Sequence, residues 1–255
     1  MNDDYAPLAL IYERIGMSDF AERMTPQIIL YAQAHDWLGR RVVDLGSGTG
    51  VSARWLANRG YNTTAIDSSP SMLHAAQQTF NGEGLGLRWL HGDIRALNDL
   101  HDLDLALALD TFNELNSLRE LEGVFASVYR CLNPGKLLIF DLHTIEGLAQ
   151  NGSASEFIYD SEDLVVFGAN RFDYERLASL SEYTIFSRSG SAWEREFAPR
   201  IRRGFPIQVV SALLARVGFG IMALLDERFA SVDAAAQTTR VIFFAQKPGI
   251  TSGQP

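Results

Sequence analysis

The chain has 255 residues, of which 47% are hydrophobic; that suits one large α/β domain or a domain with an insertion, and excludes a disordered chain. With a formal net charge of −9 and a pI of about 5.0, it lacks the basic balance that a nucleic-acid partner normally requires. The single cysteine, Cys131, permits no internal disulfide, the acidic N-terminus has no apolar signal core, and no apolar stretch is long enough to span a bilayer. A soluble cytoplasmic protein with no membrane partner is therefore expected.

Residues 1–38 read as a helical cap of one or two helices, with Thr25-Pro26 as a cap signal in the middle and Ile28, Ile29, Tyr31, Ala32 and Leu38 as an apolar stripe. Residues 39–150 form an α/β core. Strand-like runs at 41–45, 63–66, 87–90, 103–109 and 137–140 alternate with helical stretches at 51–59, 69–79 and 118–132. Such alternation implies a doubly wound, mostly parallel sheet with right-handed crossovers. Ser68, Ser69 and Pro70 cap and start the second of these helices, and Pro134-Gly135 is placed to end the third.

Residues 151–204 break the alternation. Phe157 and Tyr159, Phe172 and Tyr174, Tyr183 and Ile185, then Trp193, Arg195 and Phe197 follow a period of two, which predicts a small antiparallel β insertion. It lies after the carboxyl end of a strand, the edge where α/β sheets bind ligands, so it reads either as a cover over an active site or as a surface subdomain. Arg200, Arg202 and Arg203 are the one dense basic cluster, read as a solvated strand edge. Residues 205–247 return to the core, with a helix at 206–217 stopped by Gly218 and strands at 219–225 and 239–246. Residues 226–238 are too short and polar for a crossover helix, so the last pair is expected to be a hairpin. That makes seven strands with the final one antiparallel. A flexible tail is expected at 248–255.

The most informative run is Val42-Val43-Asp44-Leu45-Gly46-Ser47-Gly48-Thr49-Gly50. Its glycines permit a sharp turn lying flat against a ligand. A dinucleotide fingerprint would place its third glycine at position 51, where this chain has Val51. The loop therefore suits a nucleoside without phosphates, with an acid nearby for a positive charge. Asp67 ends the second strand, where a carboxylate could accept bidentately from two ribose hydroxyls or cap the following helix.

This ordered set resembles the class I S-adenosylmethionine (SAM)-dependent methyltransferases. The matching stations are Asp44 to Gly50, Asp67, Gly92-Asp93-Ile94, Asp110 and Leu132-Asn133-Pro134-Gly135-Lys136, with Lys136 where the family often has a second glycine. The resemblance is strong over 41–145 and extends to 205–246 in layout. It implies SAM as cofactor and S-adenosylhomocysteine (SAH) as product. The implied cofactor contacts are Asp44, Gly46 and Gly48 toward the methionine portion, Asp67 toward the ribose, and Met72, Asp93 and Ile94 toward the adenine, with Ser47 and Ser68 beside them. Asp110 and the N-terminal Tyr12 complete the set, with Met17 beside Tyr12. Met72 and Tyr12 also suit ordinary core packing.

Methyl transfer from a sulfonium is an in-line displacement, so the protein mainly aligns donor and acceptor and excludes water. A base matters when the acceptor begins protonated. Asp110, Asn113, Glu114 and His143 lie at the carboxyl ends of the fourth and fifth strands, and His143 and Asp110 are the catalytic candidates. Asn113, Tyr183, Trp193 and Arg195 are the candidates for the acceptor pocket. No Asn-Pro-Pro-Tyr follows the fourth strand, which disfavours exocyclic amines of nucleic acids. Asp110, Asp141 and His143 could imitate a metal cluster, but no metal is expected. The expected function is methyl transfer to an N or O atom of a small molecule. The alternatives are a binding or regulatory protein without turnover, or another group transfer on the same fold.

Overall fold

The structure is a computed structural model and describes residues 3–80, 84–150, 155–232 and 238–249; of the expected flexible tail, residues 250–255 lie outside that description. In chain order the first elements are α1 (Ala6–Ala9), α2 (Asp19–Ala34), β1 (Arg41–Leu45), α3 (Val51–Asn58), β2 (Asn62–Asp67), α4 (Pro70–Thr79), β3 (Leu87–His91) and β4 (Leu103–Ala108). A 3-10 turn (Phe112–Glu114), α5 (Leu118–Cys131), β5 (Leu132–His143) and α6 (Ile145–Gln150) follow. Then come β6 (Ser155–Asp160), β7 (Leu164–Asp173), β8 (Ala178–Ser189), β9 (Ala192–Arg203), α7 (Ile207–Val217), β10 (Gly220–Leu225) and β11 (Arg240–Gln246).

Seven strands form one sheet in the order β10-β11-β5-β4-β1-β2-β3, and β6 to β9 form a second sheet. Neighbours in the large sheet are parallel except around β11, which runs antiparallel to both β5 and β10. The small sheet is antiparallel throughout. This is the α/β architecture expected from the sequence. The order reverses between β1 and β4, so the tips of β1, β2, β4 and β5 share one edge, the ligand-binding edge of open α/β sheets.

Local chemistry explains the elements. Every residue of β4 except Asp104 is buried, as befits a central strand covered on both faces. In α5, Leu121, Val124, Phe125 and Val128 recur at helical spacing and are buried. Its start is capped: Ser117 Oγ accepts from Glu120 N, and Glu120 Oε2 accepts from the N–H of Asn116, just before the cap. One face of the sheet packs Phe112, Phe125, Phe140 and Phe243; the rings of Phe140 and Phe243 stack 4.6 Å apart. The other face packs Phe20, Met24, Ile28, Trp37, Ile139 and Phe244. Burying each large side chain contributes roughly 1.5–3 kcal/mol.

Two local expectations are corrected. Thr25-Pro26 does not divide the N-terminal region, because α2 runs through it. The buried face of Phe20, Met24, Ile28 and Ile29 outweighs the missing Pro26 N–H. Pro134-Gly135 does not end the third core helix either. That helix stops at Cys131, and the pair lies inside β5, where the register against β4 shifts and Gly135 takes φ 78°. Cys131 is buried, its thiol donating to Leu97 O at 3.3 Å.

Gly147 in α6 touches the chain leading into β11 so closely that an added Cβ would lie 2.0 Å from Thr239 O. Gly147→Ala should therefore lower the denaturant midpoint, destabilising the fold by about 1–3 kcal/mol. Equilibrium urea unfolding checks this.

Candidate active site

The loop after β1 is built on left-handed glycines: φ is 64° at Gly46, 55° at Gly48 and 80° at Gly50. A Cβ at Gly46 would strike Thr111 and one at Gly50 would strike Trp89, whereas one at Gly48 would meet nothing within 4 Å. The loop is thus packed from behind and open at Gly48, so a ligand can approach its backbone. Asp67 fixes this geometry. Its Oδ2 accepts from Gly48 N at 2.7 Å and its Oδ1 from Ser69 N at 2.8 Å, tying the loop to the start of α4. Ser69 caps that helix by accepting from Met72 N. Each Asp67 oxygen keeps further acceptor capacity.

Asp44 stands beside Asp67 at the tip of β1 and is 3% exposed. Burial, then the charge of Asp67, pushes its pKa up to about 7. Burial also raises Asp67, against the hydrogen bonds from Ser69 and Gly48. Among the described residues, Asp44 Oδ2 and Ser47 Oγ have no hydrogen-bond partner although both are buried. Two adjacent buried acids with an unsatisfied acceptor, beside an open glycine backbone, fit a ligand that brings hydroxyls and a cation.

Met72 is fully buried and packs with Ala9, Ala75, Tyr5 and Tyr12. Ser68 is exposed, and its carbonyl faces His91 Nε2 at 3.1 Å. Ile94 is half-buried against the core. The Asp93 carboxylate is gripped by Arg95 at 2.6–2.9 Å, which holds its pKa below the usual range.

The other strand tips differ from the sequence reading. Arg240 of β11 lies among Asp110, Asp141 and His143. Its Nη1 is 2.9 Å from Asp110 Oδ1 and 2.8 Å from Asp141 Oδ2, and its Nη2 is 2.6 Å from His143 Nε2. The cation among these three groups is therefore a guanidinium. Burial, reinforced by Arg240 and Arg202, lowers the His143 pKa against the pull of Asp110. The ring is thus neutral, but its Nε2 lone pair faces Arg240, which corrects its candidacy as a free base. Burial alone would raise Asp110, yet the surrounding His143, Arg240 and Arg202 lower it, and its carboxylate belongs to the same cluster. Asn113 is also corrected as an acceptor contact. It is 2% exposed. Its Oδ1 accepts from His143 N and its Nδ2 donates to His143 O and Arg203 O, strapping the 3-10 turn to β5 and β9.

The N-terminal segment lies against this edge. Asp3 accepts from Ser69 Oγ at 2.7 Å and Ser71 N at 2.9 Å, at the start of α4. Tyr5 OH donates to Glu114 Oε1 at 2.5 Å, and Arg200 of β9 pairs with Glu114 Oε2 while lying 3.4 Å over the Tyr5 ring. Tyr12 and Tyr183 pack in the cluster between this segment and the small sheet. Asp3, Tyr5 and Arg200 went unnoticed as site residues in the sequence, and only the position of Arg200 two residues from the buried Ala198 signals its inward face.

Strand parity also corrects the insertion. Ala198, Arg200 and Arg202 share one face of β9; Trp193, Arg195, Phe197 and Ile201 share the other. Trp193, Phe197 and Ile201 are 48%, 50% and 51% exposed. Trp193 and Arg195 are therefore outward, near the hairpin end at Ser189↔Ala192, and do not line the site. Arg200 is not a solvated edge, its side chain being 10% exposed.

The buried Asp44 has a consequence for pH. The folded chain keeps its proton to about pH 7, while an unfolded aspartate releases it near 3.9. The folded state then binds more protons in that window, so this group's contribution to stability falls as pH rises through it. Thermal melts should show Asp44→Asn gaining on the wild type between about pH 4 and pH 7, with no further gain above.

Residues 42–135 match the family described as "Methyltransferase domain". The chain is 28% identical over 209 residues to "Putative methyltransferase YqeM" of Bacillus subtilis, covering 81% of this chain and 84% of that one. It is 30% identical over 146 residues to the glycine/sarcosine N-methyltransferase of Halorhodospira halochloris, covering 53% and 54%. A SAM-dependent methyltransferase structure from Clostridium acetobutylicum shares the fold with a TM-score of 0.82 at 24% identity, over 96% of this chain and 99% of that one. Residues 42–135 therefore carry a methyltransferase domain, and the fold around them is that of a SAM-dependent methyltransferase structure.

Proposed function

We propose that the protein moves a methyl group from SAM to a nitrogen atom of a small molecule and releases SAH. The observation that carries this reading is the pair of buried acids, Asp44 and Asp67, beside a glycine loop open only at Gly48. Asp67 would hold the ribose hydroxyls, Asp44 and the loop backbone the ammonium of the methionine portion, and Met72 one face of the adenine. When bound, SAM supplies a methyl carbon made electrophilic by its sulfonium.

The chain's own residues bind, orient and exclude water. Tyr5, Tyr12 and Met72 wall the cofactor side, and the β6–β9 sheet is proposed as the cover of the acceptor side. A hydroxyl acceptor would need a base to remove its proton before attack. Here the His143 lone pair faces Arg240, and Glu114 is held by Tyr5 and Arg200. An amine can leave its ammonium proton to solvent before binding, attack as the neutral form with its own lone pair and carry the positive charge away in the methylated product, so a nitrogen acceptor fits these groups better. The N-methyltransferase name of the Halorhodospira relative supports the same choice.

Calorimetry with SAM, SAH and NAD, followed by turnover of labelled SAM over amines, phenols and sugars, tests the proposal. It predicts binding of SAM and SAH but not NAD, and label on an amine nitrogen. Binding of NAD without SAM, or label on hydroxyls alone, contradicts it.

A further inference from the structure

We infer that Arg202 is the residue that reads the methyl acceptor, and that the acceptor carries a carboxylate; this rests on the proposed methyl transfer and names its substrate class. Arg202 lies on the inward face of β9, two residues beyond Arg200, and is half-buried. The two arginines are partnered differently. Arg200 is paired with Glu114. Arg240, the other guanidinium of the site, is paired with Asp110 and Asp141. Among the described residues, no carboxylate lies within 4 Å of Arg202, although Asp110, Glu114, Tyr183 and Tyr12 all bear on its charge.

Holding a half-buried inward guanidinium without a carboxylate in contact is costly, because burial weakens its hydration. A planar fork of N–H donors suits a carboxylate. Position points the same way. Tyr12 packs on Met72 and Ala75 on the cofactor side and, with Tyr183, against the small sheet on the other. Arg202 thus stands across the aromatic wall from the cofactor stations, where an acceptor would lie. Size of charge favours a monoanion. Glu114 is in contact with Arg200, and Asp110 and Asp141 share Arg240, so Arg202 is the one of these three guanidiniums with no carboxylate in contact. A dianionic phosphate would face the carboxylates of Asp110 and Glu114 uncompensated.

The test compares amines that differ only by a carboxylate, glycine against methylamine and alanine against ethylamine. Wild type, Arg202→Gln and Arg202→Lys are assayed for SAM turnover, with SAH affinity measured by calorimetry and acetate binding to the SAH-loaded protein measured by ligand-observed NMR. Expected are at least a tenfold preference in kcat/KM for the carboxylated partner, its collapse in Arg202→Gln, partial retention in Arg202→Lys, and SAH affinity within about twofold throughout. Acetate should bind the wild type and not Arg202→Gln. Equal use of both amines, or acetate binding that is missing in the wild type or unchanged in Arg202→Gln, overturns the inference while leaving methyl transfer intact. Loss of SAH binding in Arg202→Gln overturns it by assigning Arg202 to the cofactor's own carboxylate. Where no amine turns over, acetate binding decides the inference, and absence of SAH binding in the wild type contradicts methyl transfer itself.

Discussion

Two pairs of acids crowd the carboxyl edge of one sheet, and the protein treats them oppositely. Asp110 and Asp141, at the tips of β4 and β5, receive a buried guanidinium from β11. Asp44 and Asp67, at the tips of β1 and β2, receive none; the hydrogen bonds to the Asp67 carboxylate come from the Gly48 and Ser69 backbone. Like charges in low dielectric raise each other's pKa, and the Asp44 shift to about 7 reflects burial and then this neighbour. The first pair has its cation within the chain. The second has none, and that is what the proposed ligand, with its hydroxyls and cation, would supply.

The N-terminal segment turns an open sheet edge into an enclosed one. Short as it is, it is fastened at separated points: Asp3 to the start of α4, Glu13 to Arg54 of α3 at 2.8 Å, and Arg14 to Tyr159 and Asp163 of the small sheet's first hairpin. Tyr5 adds the Glu114–Arg200 contact. Individually, exposed ion pairs contribute little. Together they hold Tyr5 and Tyr12 between the cofactor stations and β9, so the two halves of the proposed reaction meet across aromatic side chains rather than water.

The core was legible because its signals are local. Period, caps and the glycine loop place β1, β2, α4 and α5 within a residue or two, and the ordered acids imply the family. What escaped was set by neighbours distant in sequence. Pro26 sits inside α2 because tertiary burial outweighs a lost hydrogen bond, and Pro134-Gly135 forms a bulge because β5 continues beyond it to pair with β11. His143 looked available until Arg240, 97 residues away, faced its lone pair. In the insertion the period was read correctly as strands, but not which parity faced inward. Trp193 and Arg195 were chosen by residue type, whereas Ala198, the one fully buried residue of β9, marks the inward row that holds Arg200 and Arg202.

The central proposal is that the acids at the tips of β1 and β2 grip the donor, and Asp67, proposed to hold its ribose, tests it most directly. Calorimetric titration of SAH into the wild type and Asp67→Asn, with circular dichroism confirming that both are folded, should show one site per chain and at least a hundredfold loss of affinity in the variant. That loss is about 2.7 kcal/mol, in the range for removing a charged acceptor from buried hydrogen bonds. Equal affinity in a folded Asp67→Asn would contradict the account.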